Sequence, residues 1–164
     1  MKKTGIFYAS NTGTTAEVAS RLGKILGIAD SDIHNVADTA PSALGDYDTI
    51  ILGSSTWGNG DLADDMYDFV DGAQSLDLQG HRIAFFGCGD ESMSDTFCDA
   101  VGKLYFKMKD TGAKLIGEYP ADGYTFDHSE ATDGNTMRGL VLDEVNHPEY
   151  TDRRLQAWAK LIEE

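Results

Sequence analysis

Six small polar residues, Ser10 to Thr15, stand between an apolar run and a segment with helical spacing. Four of them carry hydroxyls, Asn11 carries an amide, and Gly13 lets a backbone approach a ligand closely. Because the N–H groups that open a helix attract anions, this stretch is typical of a phosphate site. It has neither the lysine of a P-loop nor a GxGxxG pattern, which favours a terminal monophosphate. Helix capping is the alternative interpretation, but six consecutive polar residues exceed what a cap needs.

Two further polar stretches each carry one large side chain. Trp57 stands in GSSTWGNGDL (53–62), and Met93 stands in GCGDESMSDTF (87–97). A tryptophan between SST and GNG lacks neighbours to bury it, so it is suited to stacking on a flat ligand; packing on its own loop is the alternative. Met93 is as well suited to filling a core gap as to touching a ligand.

The three polar stretches follow apolar runs that are typical of buried strands. The predicted strands lie at 4–10, 32–36, 48–54, 82–88, 114–119 and 138–144. Helical spacing appears at 16–26, 66–70, 97–108 and 155–162. This alternation predicts an α/β fold with a doubly wound parallel sheet flanked by helices. In such a sheet the ligand lies at the carboxyl ends of the strands, where the three polar stretches begin.

Composition limits the classes of partner. The chain has 28 acidic and 13 basic residues, a formal net charge of -15. Such a charge disfavours nucleic acid and anionic membranes and favours basic protein partners, although solubility explains it equally well. No apolar run is long enough to span a bilayer, and the first ten residues suit a strand better than a signal peptide, so we expect a cytoplasmic protein. The only cysteines, Cys88 and Cys98, are expected to be reduced thiols.

The three stretches, in this order and spacing, resemble the loops of the flavodoxin family, and the resemblance covers nearly the whole chain. The family's phosphate-loop pattern, Ser/Thr-x-Thr-Gly-x-Thr, appears here as Ser10, Asn11, Thr12, Gly13, Thr14 and Thr15. Its second loop appears as STWGNG and its third as GCGD. The resemblance implies one domain over 1–164 with a five-stranded parallel sheet in the strand order 2-1-3-4-5. An irregular excursion at about 120–137, which splits the fifth strand, resembles the long-chain subclass.

The resemblance implies a noncovalently bound FMN. Its phosphate would lie in the 10–15 loop and its isoalloxazine ring between the other two loops, with Trp57 stacked on one face. The family usually places a tyrosine on the other face, where this chain has Met93. Backbone N–H groups of Gly89 and Asp90 would face the pyrimidine side of the ring. The other residues assigned to the cofactor are Ser54, Ser55, Thr56, Gly58, Asn59, Cys88 and Phe97.

The resemblance also implies how the flavin is tuned. The carbonyl of Gly58 would turn to accept a hydrogen bond from N5 of the reduced ring, and a glycine makes that turn inexpensive. Negative charge near the ring would disfavour the anionic, fully reduced flavin, and the lack of a lysine in the phosphate loop adds to this effect. The acidic residues expected there are Asp61, Asp64, Asp65, Asp90, Glu91 and Asp95. For Asp64 and Asp65 a solvated surface role is an equally good explanation.

The leading interpretation is a monomeric, low-potential one-electron carrier that docks on basic faces of reductases and acceptor enzymes. No catalytic nucleophile, acid–base pair or metal set emerges from the sequence. An NAD(P)H quinone reductase is one alternative, but it needs room beside the ring, which a stacked Trp57 would occupy. A flavodoxin that serves a single enzyme is another. A signalling receiver requires an aspartate at the end of the third strand, and ILGSST has none.

Overall fold

A parallel sheet forms the centre of the molecule. The structure, a computed structural model, describes residues 3–10, 13–57, 61–89, 97–121, 124, 129–144 and 146–163, with Trp57 described in its backbone only. The first strands are β1 (Thr4–Ala9), β2 (Ile33–Asn35), β3 (Thr49–Trp57), β4 (Asp61–Leu62) and β5 (Arg82–Cys88). They are followed by β6 (Lys114–Ile116), β7 (Tyr119–Pro120), β8 (Thr132–Asp133), β9 (Thr136–Met137) and β10 (Leu140–Leu142).

The strand order confirms the predicted doubly wound topology. Strands β2, β1, β3 and β5 lie side by side and parallel. The fifth position holds two segments, because β6 pairs with Arg82–Ala84 of β5 while β10 pairs with Phe86–Cys88. The chain between them includes β7, β9 and β8, which form a small antiparallel sheet. We call residues 117–139 the excursion.

In the described part of the chain, four helices cover the two faces of the sheet. They are α1 (Thr14–Leu26), α2 (Asp64–Ala73), α3 (Asp99–Met108) and α4 (Thr151–Glu163). Short 3-10 turns lie at Asp30–Asp32, Val36–Asp38, Pro41–Asp46 and Pro148–Tyr150. Among the described parts of the chain, no helix has both the length and the apolar character needed to cross a membrane.

The alternation of strand side chains creates two cores. Ile6, Ile51 and Phe86 pack under α1 and α4, where Trp158 is fully buried. Their sequence neighbours Phe7, Leu52 and Phe85 face α2 and α3. Both faces of the sheet are therefore covered, which explains why the strand sequences are almost continuously apolar.

Residues in the left-handed backbone conformation lie at the boundaries of α1 and α3. Gly13, with φ of 91°, precedes α1, and Gly27, with φ of 71°, follows it. Cys98 has φ of 49° and precedes α3. Phe97, which helical spacing placed at the start of the third helix, therefore lies outside it, because a left-handed residue interrupts the right-handed helical path.

Candidate functional site

The carboxyl ends of β1, β3 and β5 meet at one edge of the sheet. Ala9 is paired with Ser54, and Ser55 is paired with Cys88. The chain segments that leave these strands begin side by side, as their positions in the sequence predict. This edge brings together the described parts of the three predicted loops.

The loop after β1 presents an open helix end. The N–H of Gly13 donates to Ser10 Oγ at 2.9 Å. Gly13 stands at the N-cap of α1 and itself offers no side-chain cap, while the Ser10 hydroxyl accepts the N–H group that comes just before the helix. The N–H groups of the first turn have no partner within a helix and point to where an anion would lie.

Two hydroxyl groups at this edge are buried without a hydrogen-bond partner. Within the described residues, neither Thr15 Oγ1 in the first turn of α1 nor Ser55 Oγ on β3 makes a hydrogen bond. Ser55 continues the alternation of Ile51 and Gly53, which places it on the α1 side of the sheet together with Thr15. A buried, unpaired hydroxyl costs about 1–3 kcal/mol, so the pair requires an external partner such as a ligand oxygen.

Cys88 forms part of the floor of this edge. Burial raises the pKa of its thiol to about 12. The Thr15 hydroxyl offsets part of that rise, although the two groups do not satisfy the distance and angle of a hydrogen bond. Burial likewise raises the pKa of Cys98, whose Sγ lies 3.8 Å from the Gly87 carbonyl oxygen. Both thiols are therefore protonated at neutral pH and are poor nucleophiles.

Ser54 and Thr56 lie on the opposite side of β3 from Ser55. The Ser54 hydroxyl donates to Ser55 O at 2.9 Å and accepts from Ala63 N at 3.2 Å. Ser54 is completely buried, so its predicted contact with a ligand is wrong: its hydroxyl holds the segment before α2. Thr56 Oγ1 accepts from Ala100 N at 3.4 Å, which ties β3 to the first turn of α3.

The structure corrects two expectations for the loop after β5. The N–H of Gly89 donates to Leu142 O at 2.9 Å, so it extends the pairing with β10 and is not available to a ligand. The Phe97 side chain is 1% exposed and packs in the α2–α3 core, with its ring centroid 5.8 Å from that of Tyr124. Phe97 therefore anchors the end of the loop and does not line the edge.

Several predicted contacts fall outside the described residues. They are Asn11, Thr12, Gly58, Asn59, Asp90 and Met93, together with the side chain of Trp57. The antiparallel pairing of Trp57 with Asp61 fixes the two ends of the second loop.

The excursion holds the third loop at its far end, which the sequence did not predict. The hydroxyl of Ser129 donates to Phe97 O, and Glu130 N donates to Asp99 Oδ1 at 2.7 Å. Ser129 and Asp99 are both almost completely buried. Ser129 lies in a polar, irregular stretch that gives no sign of its partner, so only the folded chain reveals this support.

Charges around the edge are partly compensated. Asp61 Oδ1 lies 3.4 Å from Lys103 Nζ, whereas Asp64 and Asp65 are exposed in the first turn of α2, where the helix dipole favours acids. Arg21, two turns along α1 from Thr14, is bound by Glu144 at 2.7 Å and also by Asp152. The charge of Arg21 is therefore already neutralised by two carboxylates. In the described ranges, no group of acidic, histidine and cysteine side chains could hold a metal ion.

The sequence and the fold both match known proteins. A family model described as flavodoxin matches residues 6–158. Flavodoxin 1 of Escherichia coli K12 is 37% identical over 166 residues, which cover 100% of this chain and 94% of that protein. A flavodoxin of Synechococcus elongatus is 35% identical and covers 99% of this chain and 96% of its own length. A crystal structure of Fusobacterium nucleatum flavodoxin bound to flavin mononucleotide, 26% identical, superposes with a TM-score of 0.91 over 99% of this chain and 98% of that one.

Proposed function

The chain belongs to the flavodoxin family of FMN-based electron carriers, and from this premise we propose which residues hold the cofactor and how the carrier meets its partners. The observation that carries the proposal is the pair of buried hydroxyls of Thr15 and Ser55, which have no partner in the described chain and lie beside the start of α1. A phosphate and a polyhydroxylated ribityl chain would supply the missing acceptors and donors. The residues present therefore fit FMN.

The phosphate is assigned to the start of α1. Ser10, Gly13, Thr14 and Thr15 would hold it through hydroxyls and backbone N–H groups, together with Asn11 and Thr12. No lysine or arginine occurs in this loop, so the phosphate would be bound by neutral donors and the helix dipole alone. Ser55 would bind the ribityl chain, and the protonated Cys88 keeps the floor beneath it uncharged.

The ring is assigned to the space between the second and third loops. When bound, FMN supplies the one-electron chemistry that no side chain provides. Trp57 would stack on one face and Met93 would touch the other, while Asn59 and Asp90 would line the edge. Gly58 would turn its carbonyl toward N5, and Thr56, Phe97 and Gly89 would hold the loops in place through α3 and β10.

The carrier works with redox partner proteins, and we propose that their docking faces are basic. The net charge of -15 supports this choice, because opposite charges raise encounter rates. We propose a monomer in the cytoplasm, since two buried, unpaired cysteines fit a reducing compartment. A reductase activity of its own is the second candidate, and incubation with NADPH and a quinone in the absence of any partner reductase tests it: turnover would contradict the carrier.

A visible spectrum and a potentiometric titration of the purified protein test the main proposal. We expect a yellow protein that accepts electrons in two separate one-electron steps. A colourless protein that fails to take up added FMN would contradict the assignment of the cofactor, and a single two-electron step would contradict the role of Gly58.

The stacking residue is tested by Trp57→Ala. Loss of an aromatic pair should weaken FMN binding about threefold to tenfold, measured by quenching of flavin fluorescence. Tyr67→Ala is the matched control, because Tyr67 is an aromatic residue on α2 that is 52% exposed and has no assigned contact with the cofactor. Equal affinities of the two variants would remove Trp57 from the site.

A further inference from the structure

A cavity lies at the amino-terminal edge of the sheet, opposite the edge assigned to FMN. It encloses 1110 Å³ beneath the carboxyl ends of α1 and α4. Leu26, Ile28 and Ile162 contribute apolar wall, whereas the first residues of four strands form the floor. The volume is slightly above the range of about 300–1,000 Å³ that is usual for small-molecule sites.

Two hydroxyls and two cations form one row across this floor. Thr4 pairs with Thr49, Thr49 with Arg82, and Arg82 with Lys114 in the parallel register of β1, β3, β5 and β6. Because side chains alternate along a strand, each of these four residues lies on the same face of the sheet as the apolar residue two positions later. That face is covered by α1 and α4. We call these four residues the amino-edge row.

The cations of the amino-edge row lack acidic partners. Arg82 donates one hydrogen bond, to Ile162 O at 3.1 Å, and within the described chain no carboxylate pairs with Arg82 or Lys114. Like charges directly opposite each other on neighbouring strands destabilise a sheet unless something compensates them. This arrangement stands out in a chain of net charge -15, where acidic partners are abundant.

The hydroxyls of the row are also unused. Neither the Thr4 nor the Thr49 side chain takes part in a hydrogen bond between described residues, although Thr49 is only 2% exposed. Asp32 and Glu163 also line the cavity, but Asp32 accepts from the Tyr47 hydroxyl at 2.9 Å and lies 4.0 Å from Lys3 Nζ. The donors that remain accessible in the row are the Thr4 hydroxyl, the Lys114 ammonium and most of the Arg82 guanidinium, and the nearly buried Thr49 lies between them.

We propose that this cavity binds an oxyanion, a phosphate or carboxylate group borne by a small molecule with an apolar part. The guanidinium of Arg82 would hold two oxygens side by side, Lys114 would add a point charge, and the Thr4 hydroxyl would donate to a remaining lone pair. The apolar part would lie against Leu26 and Ile28. The site is independent of the FMN site, since the two lie at opposite edges of the sheet.

The competing explanation is that Arg82 and Lys114 only stabilise the carboxyl ends of the helices. Carbonyl groups at the ends of α1 and α4 favour nearby cations, and the bond from Arg82 to Ile162 O is of that kind. That role does not use Lys114 or the two hydroxyls, and it requires no saturable affinity for anions. A binding experiment therefore separates the two explanations.

The test is a titration of the FMN-loaded, isotope-labelled protein with sodium phosphate and, separately, sodium acetate, followed by amide NMR shifts at constant ionic strength. Loaded FMN keeps the phosphate loop from responding. We expect saturable shifts that centre on Thr4, Thr49, Arg82 and Lys114. A response to phosphate alone, to acetate alone or to both supports the site and identifies the group it prefers.

Variants sharpen the test. Because a hydrogen bond to a charged group is worth about 1.5–3 kcal/mol, Arg82→Gln should weaken binding at least about tenfold. Lys114→Gln, at an exposed position, should weaken it without affecting the fold, which circular dichroism checks. Lys160→Gln, on the exposed surface of α4 outside the cavity, is the matched control. Saturation by neither anion, or an equal loss in Lys160→Gln, would overturn the proposal.

Discussion

At the scale of single residues, Ser54 and Ser55 show how neighbouring hydroxyls take opposite roles. The Ser54 hydroxyl is hydrogen-bonded within the protein, whereas the buried hydroxyl of Ser55 has no partner among the described residues. The sequence predicts a strand that ends at residue 54 and assigns both serines to the cofactor; it does not predict that β3 continues to Trp57 and places the two serines on opposite faces. It does not predict which face meets α1, because that depends on the packing of distant elements.

The two serines give a paired prediction. Ser55→Ala should leave the free energy of unfolding of the FMN-free protein unchanged or higher, because an unpaired buried hydroxyl is removed, while FMN affinity falls about tenfold. Ser54→Ala should lower that free energy by about 1–2 kcal/mol, because Ala63 N loses its acceptor, with little change in affinity. Urea unfolding and flavin titration measure the two quantities. The same pattern in both variants would contradict the separate roles.

At the scale of elements, the position of the loop between β1 and α1 was predictable from the sequence, whereas the contacts that hold the loop after β5 were not. The hydroxyl-rich stretch is recognisable in the sequence, because its position depends only on the strand before it and the helix after it. The N–H of Gly89 is lost to Leu142, and Phe97 is held by Ser129, in both cases through partners distant along the chain. Local patterns cannot predict such partners, which is why the expected roles of Gly89 and Phe97 required correction.

The link between the excursion and α3 should matter for stability. Asp99→Ala removes the acceptor of Glu130 N, and leaving that N–H unpaired should cost about 1–3 kcal/mol in urea unfolding. Asp99→Asn keeps an oxygen at the same place and should recover most of the loss. If Asn and Ala are equally destabilising, the hydrogen bond is not what joins the two elements.

Tyr47 connects the edge strand β2 to the chain before β3. Its hydroxyl donates to Asp32 and lies 2.7 Å from His34 Nε2, and its ring packs where a side chain at Gly5 would be. Burial, and next the hydrogen bond to Asp32, raise the pKa of Tyr47 to about 12 from an ordinary value of 10.0. The folded protein therefore favours the neutral phenol more strongly than the unfolded chain does.

This shift has a defined consequence for stability against pH. The stabilisation from Tyr47 is complete below pH 10, where the phenol is neutral in both states, and it is lost as pH rises toward 12. Tyr47→Phe should be less stable at neutral pH but should lose less stability between pH 10 and 12, as denaturant midpoints at each pH would show. Parallel curves for the two proteins would show that Tyr47 does not titrate in this way.

At the scale of the whole molecule, a large negative charge surrounds locally neutralised cations such as Arg21 and Lys103. Like charges repel one another across the folded surface and attract basic partners at the same time. Both effects extend over the Debye length, which shrinks from about 30 Å at 0.01 M salt to about 8 Å at 0.15 M. Composition alone predicts this balance, whereas the pairs that offset it depend on the fold.

Salt should therefore change stability and partner kinetics in opposite directions. Raising salt over this range should increase the free energy of unfolding, because self-repulsion is screened, and should slow electron transfer with a basic reductase. An uncharged chemical reductant is the control, since its rate should hardly change. A reductase rate that is indifferent to salt would contradict the proposed basic docking faces.

The burial of both thiols bears on the chemical durability of the protein. Proteins that handle single electrons meet peroxide whenever an electron escapes to oxygen, and peroxide attacks thiolates far faster than thiols. Cys88 and Cys98 are buried and held in the protonated form by their raised pKa values. The protein therefore exposes no reactive thiolate to the peroxide that forms during its electron transfer. Its cysteines should remain unoxidised during prolonged redox cycling in air without added reducing agent.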